Sequence, residues 1–218
     1  MKKIFRIDSG FWSFFGKLID ATVLHLIWLV CCIPVFTIGP ATTAIYYALM
    51  TDISGENSRY ISAFFHSFKT NFKQGVFLGL IYVFVGACLG YGLYFYANID
   101  IGEKVLFFAV CHALTIVLAI AYVFSAMYVF ALHARFVNNI LKTIKNSFFL
   151  SIKNVGWTMV MAAILCIPYL IIYFTNFVPL IITGYGLVVY LKSYVLNHVL
   201  RPYITALSDL KEETGAEQ

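Results

Sequence analysis

At 218 residues, 61% apolar and only 11% charged, the chain has too few ionic side chains to cover a soluble surface; water-soluble domains carry about 25%. A mean hydropathy of +0.86, spread over several separate apolar stretches, makes a polytopic membrane protein the default class. The net charge of +5 does not signal nucleic acid, because the basic residues sit in separate short loops and form no continuous patch.

The N-terminal tail carries Lys2, Lys3, Arg6 and Lys17, with Phe11, Phe14, Phe15 and Leu18 in a weakly amphipathic pattern. The first apolar run then ends in CCIPVFTIG. It lacks the small-residue cleavage site of a signal peptide, and Leu29-Val30-Cys31 before Cys32 lacks that of a lipoprotein, so this span is expected to be retained. A crossing helix needs about 20 apolar residues. Candidates are residues 18–36, 41–53, 76–97, 105–132, 157–174 and 177–191. The second is short. The sixth is short too, but extends past Lys192, whose side chain can reach the interface. The predicted fold is all-α: a polytopic bundle of about six spans in one domain, residues 1–205, with a short polar cytoplasmic tail at 206–218. It has five spans if the first two runs form one broken or re-entrant unit.

Orientation follows from charge. If the chain reverses at Pro34, Thr37, Gly39 and Pro40, every Lys and Arg except Lys104 falls on one side. By the positive-inside rule that side is the cytoplasm, and both termini lie there. Pro34 and Pro40 each lack a donor and Gly39 permits a tight turn, which together favour a hairpin tip. A re-entrant loop that never emerges is the alternative, and it would need protein around its non-helical backbone.

Two inner segments are amphipathic. In ISAFFHSFKTNF, Ile61, Phe64, Phe65, Phe68 and Phe72 make a helical stripe, with His66, Lys69 and Lys73 away from it. After the fourth span Val137, Ile140, Leu141, Ile144 and Phe148 repeat the pattern, with Lys142 and Lys145 elsewhere. Such faces suit helices lying in the headgroup layer, or packing on the ends of the bundle. FF-x-S-x-K occurs at residues 64–69 and again at 148–153, and AIYYAL at 44–49 faces AMYVFAL at 126–132. Two related units of helix, linker and helix are expected.

Gly75, Gly79, Gly86 and Gly90 fall on one face of the third span. Small residues let helix backbones approach closely in lipid, either within the bundle or against a partner subunit. Within the spans the ionisable groups are His25 and His112, without carboxylates; Asp20 lies near the inner boundary and is expected to pair with Lys17. Carboxylates within spans mark ion coupling, so an ion-coupled transporter is disfavoured. The five cysteines lie in apolar runs without metal spacing, and no nucleotide-binding or hydrolase motif occurs. The chain is expected to be non-enzymatic and to need no cofactor or metal.

The residues Leu29…Cys32-Ile33-Pro34-Val35-Phe36-Thr37-Ile38-Gly39, then Ala44-Ile45-Tyr46-Tyr47, then Phe64-Phe65…Phe68-Lys69…Asn71-Phe72-Lys73-Gln74, resemble the YesL family of bacterial membrane proteins. The resemblance runs over most of residues 5–205. It implies a bacterial plasma membrane setting near carbohydrate uptake by ABC importers, and no catalytic residues. Two functions follow as expectations. One is an accessory protein that binds importer permease subunits or self-associates in the bilayer. The other is a small-solute transporter or channel, with His25, His112, Tyr82, Asn98 and Ser125 lining a polar path.

Overall fold

The computed structural model describes residues 10–55, 59–98, 105–136, 138–175 and 180–215. Among these residues the chain is helical throughout, without strands. The elements are α1 (Gly10–Cys31), α2 (Ile38–Ile53), α3 (Tyr60–Thr70), α4 (Phe72–Asn98), α5 (Val105–Arg135), α6 (Ile140–Lys153), α7 (Val155–Thr175) and α8 (Leu180–Gly215). A single 3-10 turn, Val35–Thr37, joins α1 to α2. The predicted turn at 99–104 with Lys104, the end of the fifth connection at 176–179 and Val137 lie outside the described residues, as do the side chains of Phe11, Phe14, Phe15 and Leu18. The segment expected as a polar tail continues α8 as helix to Gly215.

α4 after Lys73 and α5 before Arg135 are apolar runs without Asp, Glu, Lys or Arg. Where the solvent offers no hydrogen bonds, a helix satisfies its own backbone. Two candidate spans, Phe72–Asn98 and Leu106–Arg135, meet the length and hydropathy of a crossing helix. α6 and the part of α7 up to Cys166 add a third if this pair, bent by 96°, is one broken span.

The two breaks that start α4 and α7 are built alike. Asn71 donates its backbone N–H to Ser67 O at 2.9 Å and accepts from Gly75 N at 2.8 Å. Asn154 donates to Leu150 O at 3.0 Å and accepts from Thr158 N at 3.0 Å. Each asparagine closes one helix and opens the next, and its side-chain amide also bonds back into the helix it ends. The order α2–α3–α4 thus recurs as α5–α6–α7, with FF-x-S-x-K just before each break.

The chain does reverse between α1 and α2. Trp28 Nε1 donates to Thr42 Oγ1 at 3.2 Å. The Thr37 hydroxyl lies 2.6 Å from Cys31 O and 2.5 Å from Pro34 O, so its one proton serves one of these turn carbonyls at a time. The reversal lies beside the start of α4. Gly39 and Pro40 pack on Gly75 and Gly79, in the first two turns of α4. Asn98, at the other end of α4, is about 28 Å further along at 1.5 Å per residue. A tip emerging opposite the start of α4 would need neighbours near Asn98 instead.

The core lies at this same end of the molecule. Leu24, Ile45, Met50, Phe64, Tyr128, Leu196 and Leu200 are fully or almost fully buried there. α8 crosses α1 closely at Gly186, where a Cβ would lie 3.1 Å from Thr22 Cα.

Candidate functional site

The α4–α5 hairpin leaves this core and projects from it. On α4 the buried residues are Gly75, Leu78, Gly79 and Tyr82, all in its first half. On α5 burial begins only at Ser125. Beyond those points the described contacts run between the two helices. Gly86 faces Tyr122, whose hydroxyl oxygen would lie 2.6 Å from any Cβ added there. Its missing side chain lets Tyr122 OH reach Tyr82 O at 2.8 Å. Farther out, Tyr96 stacks on His112, ring centroids 5.9 Å apart. The outer faces carry exposed Phe84, Tyr91, Tyr94, Leu106 and Phe107. In water so large an apolar surface would be an interaction or aggregation site. In lipid it is solvated.

A buried chain of hydroxyls fixes the base of the hairpin. Ser147 Oγ donates to Ile144 O at 2.7 Å, which uses its only proton. Ser125 Oγ, 2.8 Å away, therefore donates to Ser147. Tyr82 OH, 2.6 Å from Ser125, therefore donates to Ser125. The relay ties α4, α5 and α6 together beside an apolar cavity of about 330 Å³ lined by Val85, Leu118 and Phe148 among others. A second tie joins α5 to α7: Tyr128 OH lies 3.0 Å from Thr158 Oγ1, whose proton goes to a main-chain carbonyl. Tyr122, Ser147, Tyr128 and Thr158 carry no sequence signal beyond being polar groups in apolar helices.

The four glycines expected on one face do not share one neighbour. Gly75 and Gly79 meet Gly39 and Pro40, Gly86 meets Tyr122, and Gly90 meets nothing within 4 Å. The reversal residues Gly39, Pro40 and Thr37 are buried, while Pro34 is exposed. On α3, Phe64 is fully buried and stacks at 6.2 Å on Phe68, which meets Phe72 edge-on at 5.5 Å. Phe65, Lys69 and Lys73 are exposed.

On α6 the apolar stripe is split: Ile140 and Ile144 are half-buried, Leu141 and Phe148 exposed. The helix's buried residues are Thr143, Ser147, Leu150 and Ser151. Leu141 and Phe149 are 79% and 68% exposed, and Phe148 and Ile152 are exposed too. Small hydroxyl residues pack inward and large apolar ones point out, as helices do when lipid is the solvent.

The residues expected along a polar path are not brought to one place. His25 is buried and stacks on Trp28 at 5.3 Å, whereas His112 sits far along the hairpin. Tyr82 and Ser125 are bonded to each other, and Asn98 donates to Tyr94 O at 2.8 Å. Asp20 accepts a hydrogen bond from Tyr60, which, with burial and the nearby charges of Asp20 and Asp52, raises the phenol above its ordinary range. All five cysteines are free thiols. Among the described residues no three His, Cys, Asp or Glu side chains gather as metal ligands would.

No curated protein and no solved structure matches the chain. Residues 21–93, about a third of the chain, match a family described as a protein of unknown function, DUF624. That stretch runs from α1 through most of α4, so the similarity to this uncharacterised family covers the reversal and the glycine contacts that seat it.

Proposed function

We propose that the chain is a non-enzymatic integral membrane accessory protein that docks on a membrane partner through the α4–α5 hairpin. The observation that carries this is the hairpin's outer surface: apolar and free of charge from Gln74 to Asn98, with Gly90 open to close approach by another helix. The resemblance to the YesL family supports a bacterial plasma membrane setting and, as partner, the permease subunits of a carbohydrate importer. α4 and α5 cross the bilayer, and α7 with the start of α8 forms a second crossing pair. α1 and α2 form a re-entrant unit, because their reversal is seated at the start of α4. Both termini and the basic segments are then cytoplasmic, as charge requires. A transporter reading is weaker, because its polar residues are stacked or bonded in separate places.

Affinity purification of the full chain from native membranes is expected to recover permease subunits. Gly90→Leu, which adds a side chain into open space, should keep the fold and lose most of that recovery. Undiminished recovery with the variant folded would remove the Gly90 face as the contact. Solute flux through liposomes containing only this chain would favour the transporter instead.

A further inference from the structure

We propose that the cavity between α2, α3 and α5 binds a phosphate-bearing anion. The cavity has a volume of about 280 Å³ and is lined by His66, Ser67, Asn71, Gln74, His133 and Arg135, among others. His133 is 4% exposed, and neither of its ring nitrogens has a hydrogen-bond partner. Buried polar atoms in native proteins are almost always satisfied, and an orphan calls for a bound water, ion or ligand. An imidazole has two polar atoms to satisfy, which doubles the demand.

The chemistry of the lining selects the charge of the occupant. It offers two imidazoles, a guanidinium, and amide and hydroxyl donors, and among the described residues its lining includes no carboxylate. Arg135 also lines an adjoining cavity of about 390 Å³, together with Arg201 and Asn197, and among the described residues this lining too has no carboxylate. A guanidinium binds phosphate through charge-assisted hydrogen bonds, and an imidazole N–H can donate to it as well.

The position selects the source. The cavity lies where α5 ends at Arg135 and α3 gives way to α4 at Phe72. Helices of this length, about 40 Å, outreach the roughly 30 Å hydrocarbon core, so their ends stand among headgroups. A lipid headgroup phosphate and a free phosphate share the chemistry, and the experiment separates them.

The full chain is purified in a zwitterionic detergent with its five histidines labelled with ¹⁵N. It is titrated with inorganic phosphate in one arm, with phosphatidylglycerol in a second, and with phosphatidylcholine as control. The expected result is a shift of the His133 imidazole signals and a rise in unfolding temperature, the latter following from ligand binding to the native state. A response to phosphate alone identifies a soluble anion; a response only to phosphatidylglycerol identifies a headgroup. His133→Leu should weaken the response at least tenfold, and yet be neutral or stabilising without ligand, since it removes an unpaired buried polar group. His66→Gln, at an exposed wall position, should weaken binding by a smaller factor and serves if His133→Leu does not fold. If neither anion moves the His133 signals, or His133→Leu binds as wild type does, the site is water-filled and the proposal fails.

Discussion

Gly39→Ala is expected to unfold the protein or cost it about 3–5 kcal/mol, measured as the loss of stability in detergent against wild type. A Cβ at Gly39 would collide with the carbonyl oxygen of Gly75 and come within 2.9 Å of Gly79 Cα. Both obstacles are backbone, so no rotamer change relieves them. The approach is mutual: a Cβ on Gly79 would lie 2.7 Å from Gly39 Cα, and one on Gly75 would lie 2.9 Å from Pro40 Cα. Gly79→Ala and Gly75→Ala should therefore share the defect. The sign makes the test sharp. Glycine to alanine inside an unobstructed helix gains about 0.5–1 kcal/mol. Gly90→Ala, with nothing within 4 Å, should follow that rule. Equal tolerance at 39, 79 and 90 would mean that α2 is not seated on α4.

Ser147→Leu is expected to be nearly as damaging, and Phe149→Leu harmless. Ser147 is fully buried against α5 and stands in the middle of the relay from Tyr82 to Ile144 O. Leucine there would overpack a tight helix contact, costing about 1–3 kcal/mol. It would also strand the Ser125 hydroxyl, adding about 1–3 kcal/mol. Phe149, only two residues on, faces outward and can exchange one apolar side chain for another within about 0.5 kcal/mol. The stability of the two variants, measured side by side, checks which face of α6 is inside. A tolerant Ser147 with a sensitive Phe149 would mean that the opposite face of α6 packs inward.

The α6 helix shows what sequence periodicity can and cannot carry. The period of Ile140, Leu141, Ile144 and Phe148 does mark a helix, observed as Ile140–Lys153. The period does not say which face packs inward, since such a stripe suits the headgroup layer or the end of a bundle. With lipid outside, hydrophobicity no longer distinguishes surface from core, and packing favours Thr143, Ser147 and Ser151. α4 and α5 were legible because an uninterrupted, charge-free run has only one stable conformation in such a solvent. The bend at Asn154 was not expected, but Asn71 and Asn154 stand just after the repeated FF-x-S-x-K.

The α1–α2 reversal shows the limit of charge. Positive-inside reasoning fixes only the side to which a chain returns. A hairpin that crosses and one that turns back inside the bilayer return it to the same side, so Lys17 and Arg59 read identically in both. The contact that bears on the choice joins Gly39 to Gly75 and Gly79, far apart in sequence, and no local pattern encodes it. His133 went unread for a similar reason: just past the fourth predicted span, it is one more polar residue at a helix end until its two orphaned nitrogens are seen.

External labelling of single cysteines at positions 36 and 102, introduced as Phe36→Cys and Gly102→Cys in a background whose five native cysteines are replaced, tests the arrangement most directly. A membrane-impermeant maleimide added to intact cells should modify position 102 and spare position 36, which reacts only after the membrane is opened. Modification of position 36 in intact cells would place the reversal on the outer face and contradict a unit seated at the start of α4.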